Sequence, residues 1–155
     1  MLAMLRISKL TDYATVLMTS LAAQGGRVLP ASELAERTHL ELPTVSKLLK
    51  QLAGAGLVES RRGIHGGYLL ALRADEISVL DIVVALEGPL GMTECSAVQG
   101  SCEHESHCQV RSNWRRISRV IETALASTLL SDMLSPETAP IVHQPSRSLL
   151  RAPAV

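Results

Sequence analysis

Cys95, Cys102 and Cys108 are the only cysteines among the chain's 155 residues, and they fall within fourteen positions of one another. An odd number so close together cannot form a disulfide framework and suits a reducing compartment. Six residues separate the first pair and five the second, which is neither the Cys-x-x-Cys of zinc ribbons nor a redox dithiol motif. Wider spacings let an irregular loop wrap a larger object, such as an iron-sulfur cluster with separated iron atoms. Three thiolates leave at least one iron to be completed, and Glu103, His104, Glu105 and His107 lie within reach along the chain. From the residues alone, zinc held by three cysteines and a histidine stays open. So do three unrelated buried cysteines, although a polar segment offers them little apolar burial.

The second group with chemistry is basic. Between Pro43 and Arg73 the chain carries Lys47, Lys50, Arg61, Arg62 and Arg73 against one acid, Glu59. The formal charge of the whole chain is zero, which at face value argues against a polyanionic partner. That average hides three blocks. Residues 1–75 hold nine Lys/Arg and six Asp/Glu, residues 76–109 hold six acids and no base, and residues 110–155 hold six bases and three acids.

The elements that must carry these groups follow from periodicity. Leu10, Ala14, Leu17 and Leu21 define one face of a first helix that ends at Gly25-Gly26. Ser32 to Arg37 forms a short second helix, with Glu33 early and Arg37 late in agreement with the helix dipole. Pro43 opens a third, in which Val45, Leu48, Leu49 and Leu52 face inward. Residues 57–60 and 68–72 are expected strands of a β-hairpin whose connection, 61–67, is glycine-rich and basic. Ser78 and Asp81 form a capping box at the start of a fourth helix, with Ile77 against Ile82 as a staple and Gly88-Pro89 as the stop.

Residues 90–109 show no periodicity and are expected to be a cysteine-bearing loop. From Val110, Trp114, Ile117, Ile121 and Ala124, widened by Val120, Leu125 and Leu129, predict a long helix whose apolar stripe a second subunit could cover. Residues 135–155 hold four of the seven prolines, and a disordered tail is expected there. The fold class is therefore mainly α with a small β-hairpin wing, a winged helix-turn-helix followed by a dimerisation helix. The expected units are a DNA-binding domain over 4–89, a cluster loop over 90–109, a dimerisation helix over 110–134 and a tail over 135–155.

In that layout the third helix enters the major groove and the wing touches the backbone or minor groove. The candidate DNA contacts are Pro43, Thr44, Ser46, Lys47, Lys50 and Gln51 on the third helix, with Arg61, Arg62, His65, Gly66 and Gly67 in the wing. Thr44, Ser46 and Gln51 suit phosphate or base-edge hydrogen bonds, and the lysines suit phosphates. Only three aromatic residues occur, so a stacking platform for single strands is excluded.

Residues 4–134 resemble the small dimeric winged-helix regulators of bacteria of the IscR and NsrR type. The resemblance rests on residues 5–14, Leu-Arg-Ile-Ser-Lys-Leu-Thr-Asp-Tyr-Ala, on Pro43-Thr44-Val45-Ser46-Lys47, on the wing from Arg62 to Leu70, and on the three cysteines. Residues 92–96 and 108–117 look most like the branch that regulates the SUF iron-sulfur assembly operon. It implies that Cys95, Cys102 and Cys108 ligate an iron-sulfur cluster, a two-iron two-sulfur cluster being expected first and a four-iron four-sulfur cluster second. The IscR branch takes its fourth ligand three residues after the last cysteine, where this chain has Arg111, which cannot ligate. The NsrR branch supplies an aspartate from the first helix of the partner subunit, and Asp12 stands at the matching position, ahead of His104 and His107.

The function expected is that of a cytoplasmic, homodimeric transcriptional repressor that binds double-stranded operator DNA, senses cluster status and controls cluster-assembly genes. An alternative keeps DNA binding and puts zinc or a thiol or nitric-oxide switch at the same cysteines. An interaction module that borrows the winged fold is a further rival. No membrane partner or small-molecule substrate is expected. An enzyme is not expected either, because the chain has no phosphate-binding glycine motif and no nucleophile beside a base.

Overall fold

The computed structural model describes residues 7–93 and 108–135. The elements run in the order α1 (Lys9–Ala22), α2 (Ala31–Thr38), α3 (Leu42–Gly54), β1 (Val58–Arg61), β2 (Gly67–Leu70), α4 (Val79–Glu87) and α5 (Arg111–Ala126), ending in a 3-10 turn over Asp132–Leu134. This is the winged helix-turn-helix with an added long helix that the sequence predicts.

The core is aliphatic. Leu17, Met18 and Leu21 of α1, Leu34 of α2, Leu48, Leu49 and Leu52 of α3 and Ile82 of α4 are buried together with Leu29, Ile77 and Leu130 from the connections. Leu10, assigned to the inward face by periodicity, is instead 37% exposed. Thr11 beside it is the buried residue, because its hydroxyl donates to the Glu87 carboxylate at the end of α4, 2.6 Å away.

The hairpin pairs Val58 with Leu70, Glu59 with Leu69, Ser60 with Tyr68 and Arg61 with Gly67. Its strands therefore reach one residue further toward the tip than the sequence boundaries suggest, and the free tip is 62–66. Leu29 and Tyr68 exchange backbone hydrogen bonds of 2.9 and 2.8 Å, which fasten the wing to the connection before α2. Gly67 is required there, since a Cβ would strike the Leu29 carbonyl.

At α4 the capping box forms as expected. The Asp81 amide donates to Ser78 Oγ at 3.1 Å, and the Asp81 carboxylate accepts from the Ser78 amide at 2.8 Å. The long helix is shorter than the apolar spacing suggests, stopping at Ala126. Beyond it the chain turns back to the body. The Val79 amide donates to the Thr128 carbonyl at 2.8 Å, the Leu130 amide to the Ile77 carbonyl at 2.8 Å and the Ser131 amide to the Ala74 carbonyl at 3.0 Å. Leu130, fully buried, closes the main core, so residues 127–134 are packed with the winged domain.

Candidate functional site

α3 presents its sides unequally. Val45, Leu48, Leu49 and Leu52 are buried, and Pro43, Ser46, Lys47 and Lys50 are exposed. At about 100° per residue these four share one face. Thr44 and Gln51 fall on its flank and are half-buried, and Gln51 lines a groove against Leu80, Asp81, Val84 and Ala85 of α4. The Gln51 side-chain oxygen is buried without a hydrogen-bond partner among the described residues. Of the six α3 candidates, then, four stand directly outward and two lie at the edge. The turn into α3 runs through His39, whose left-handed backbone (φ 55°) ends α2 and reverses the chain without a glycine.

In the wing Arg61, Arg62, Gly63, Ile64 and His65 are exposed, and Gly66 and Gly67 are half-buried. Arg61 Nε lies 3.2 Å from Glu59 Oε1. Lys47, Lys50 and Arg62 carry no ion pair among the described residues. Arg73 contributes less to the basic surface than its charge suggests, because Asp75 takes its guanidinium at 2.6 and 2.9 Å. That hydrogen-bonded pair holds the Asp75 carboxyl below its ordinary value.

Cys108 is half-buried, just ahead of the turn into α5, where the Val110 carbonyl accepts from the Asn113 and Trp114 amides at 3.1 Å each. Cys95, Cys102, His104 and His107 lie outside the described residues. Asp12 is exposed in the first turn of α1 and borders an open groove of about 630 Å³ with Ile7, Lys9, Val79 and Met133. Among the described residues no three His, Cys, Asp or Glu side chains converge on a metal-sized site.

Two polar ties that periodicity does not reveal lie just before the cysteine segment. On its N-terminal side, Glu87 accepts from the Ser8 amide at 3.0 Å and from the Thr11 hydroxyl, joining the end of α4 to the start of α1. These hydrogen bonds hold its carboxyl below the ordinary glutamate value, the Thr11 hydroxyl contributing most. Next, the Met92 amide donates to Ser118 Oγ at 3.1 Å, and Ser118 is the buried residue of α5. No periodic signal in the sequence marks Ser118, because Ser112 is an equally small polar residue of the same helix and is exposed.

The apolar stripe of α5 is divided, with Ile121, Ala124 and Leu125 half-buried. Val110, Trp114, Ile117 and Val120 are 51, 37, 41 and 50% exposed, and Ile117 lies roughly a quarter turn from Ser118. No helix among the described residues is long and apolar enough to cross a membrane.

An outward basic recognition helix beside a hairpin wing, with a further helix appended, defines a winged helix-turn-helix DNA-binding regulator. The family model for Rrf2, described as an iron-dependent transcriptional regulator, matches residues 7–136. The chain belongs to the Rrf2 family. It is 34% identical to the HTH-type transcriptional regulator IscR of Aliivibrio salmonicida over 79% of this chain and 73% of that protein. Among solved structures it is similar to CymR, the global cysteine regulator of B. subtilis (33% identity, TM-score 0.66, 84% of this chain and 97% of that one). It is also similar to T. potens IscR (33% identity, TM-score 0.63, 84% and 86%). These relatives are regulators, not enzymes, and the class binds DNA.

Proposed function

We propose that the protein is a cytoplasmic homodimeric repressor whose occupancy at Cys95, Cys102 and Cys108 sets its affinity for operator DNA, and that its targets are iron-sulfur assembly genes, in the manner of the SUF branch. The observation that supports sensing is the attachment of the cysteine segment. Its described flanks both sit at α5, the Met92 amide being hydrogen-bonded to Ser118 and Cys108 standing just ahead of the helix.

Three thiolates fit iron, for which cysteine is the usual protein ligand in clusters. When bound, a two-iron or four-iron cluster supplies a redox-active iron centre that cross-links the segment through its cysteines. Asp12 of the partner subunit is the fourth ligand this reading favours, with His104 and His107 behind it. The chain's own residues do the coupling. Ser118 ties α5 to the start of the cysteine segment and residues 128–131 tie the chain after α5 to the winged domain, so a change in the segment shifts the helix on which two copies meet and the distance between the two α3 faces. A difference in cluster affinity between DNA-competent and DNA-incompetent forms is what allows this coupling.

On the DNA, Pro43, Ser46, Lys47 and Lys50 face the major groove, with Thr44 and Gln51 at its edge. Arg61, Arg62, His65, Gly66 and Gly67 lie against the backbone and minor groove.

The test uses a duplex selected from a random pool by the anaerobically reconstituted protein. Its affinity is compared before and after the iron is removed by chelation. At least a tenfold difference is expected, and equal affinities would remove sensing while leaving DNA binding intact. A second reading, zinc or a thiol or nitric-oxide switch at the same cysteines, draws support from the likeness to Staphylococcus aureus CymR, one solved structure of which is an oxidized form. Stoichiometric zinc in a colourless, DNA-binding protein would favour it.

A further inference from the structure

Ile64 is completely exposed, the most exposed large apolar side chain among the described residues. It stands at the centre of the five-residue wing tip. The base of that tip is rigid. Arg61 pairs with Gly67, Tyr68 is bonded to Leu29, and the Gly66 amide closes the loop on the Gly63 carbonyl at 3.0 Å. A Cβ on Gly66 would lie 2.5 Å from the Arg61 carbonyl oxygen, so this closure is tight. The tip therefore holds Ile64 outward among Arg61, Arg62 and His65, with no packing partner among the described residues.

A basic rim around one apolar side chain complements a groove walled by phosphates and floored by base edges. We propose that Ile64 is a specificity residue that packs on the floor of the minor groove and selects A·T over G·C pairs there. The chemistry lies in one group. A G·C pair places the guanine N2 amino group on that floor, and an apolar side chain both collides with it and strips its hydration. An A·T pair offers a smoother floor. Ile64 makes no hydrogen bond, so its contribution is discrimination, while phosphate attraction falls to Arg62. The proposal rests on the DNA-binding reading.

The experiment takes a duplex selected from a random pool and replaces each A·T pair in turn with G·C, and then with inosine·C. Inosine keeps the major-groove face of guanine but lacks the N2 amino group. At the positions the wing covers, the wild-type protein is expected to lose about tenfold in affinity on G·C and to regain most of it on inosine·C. Ile64→Ala and Ile64→Ser should discriminate less than threefold while keeping the salt dependence of binding. If inosine·C behaves like G·C everywhere, or the Ile64 variants discriminate like the wild type, the proposal is wrong. Loss of all salt-dependent duplex binding by the wild type would overturn the DNA reading itself.

Discussion

Lys47 and Arg62 are exposed cations without intramolecular partners among the described residues, whereas Arg61 and Arg73 are held by Glu59 and Asp75. A phosphate therefore meets Lys47 and Arg62 without first breaking an ion pair. Lys47→Ala and Arg62→Ala should each weaken duplex binding uniformly across sequences and reduce the slope of log affinity against log salt by about 1, measured by fluorescence anisotropy. Glu87 belongs to the same scale. Its lowered pKa means that the stability it contributes is present above the unfolded value of about 4.3 and is lost as pH falls through the lower folded value. Glu87→Gln should cost about 1 kcal/mol at neutral pH, a value discounted because the side chain is largely solvated. Urea titrations at fixed protein concentration should show the gap to wild type closing below pH 4. The cations were legible in the sequence because charge is. Glu87 was not, since its partners, Ser8 and Thr11, are more than seventy residues away.

At the scale of elements, helix starts and core faces were readable wherever the deciding interaction is local. The Ser78–Asp81 box, Pro43 at the opening of α3 and the buried set Val45, Leu48, Leu49 and Leu52 all obey spacings of three or four residues. The wing was readable as a hairpin. Its fastening to Leu29 was not, because a single bridge between distant segments leaves no periodic trace. That fastening predicts the outcome of Gly67→Ala. The added methyl meets the Leu29 carbonyl, so about 1–3 kcal/mol of stability should be lost and duplex affinity should fall as the wing shifts. Thermal melting and anisotropy report the two effects, and an unchanged protein would mean that the wing is not held there. The end of α5 was misread for a related reason. Leu129 continues the apolar spacing, but hydrogen bonds from residues 79, 130 and 131 draw the segment after Ala126 back to the body.

For the whole molecule, the stripe on α5 and the three cysteines must be explained together. Val110, Trp114, Ile117 and Val120 are exposed, an arrangement that makes sense if a second copy covers them. Ile117→Glu should convert a dimer to a monomer in sedimentation velocity and weaken binding to a palindromic duplex far more than to a half-site. An unchanged sedimentation coefficient would place the interface elsewhere. Membership of a family of transcriptional regulators was legible in the sequence, and the iron-sulfur cofactor proposed above rests on the spacing of the cysteines and that resemblance. The fourth ligand was not, because no local pattern in the sequence singles out Asp12, His104 or His107. The most direct measurement is the count of iron, acid-labile sulfide and zinc per protomer in anaerobically purified protein, alongside Cys102→Ala. Iron and sulfide in equal amounts, with visible absorbance that the variant loses, is the result expected. A colourless wild-type protein with no sulfide would contradict the iron-sulfur reading.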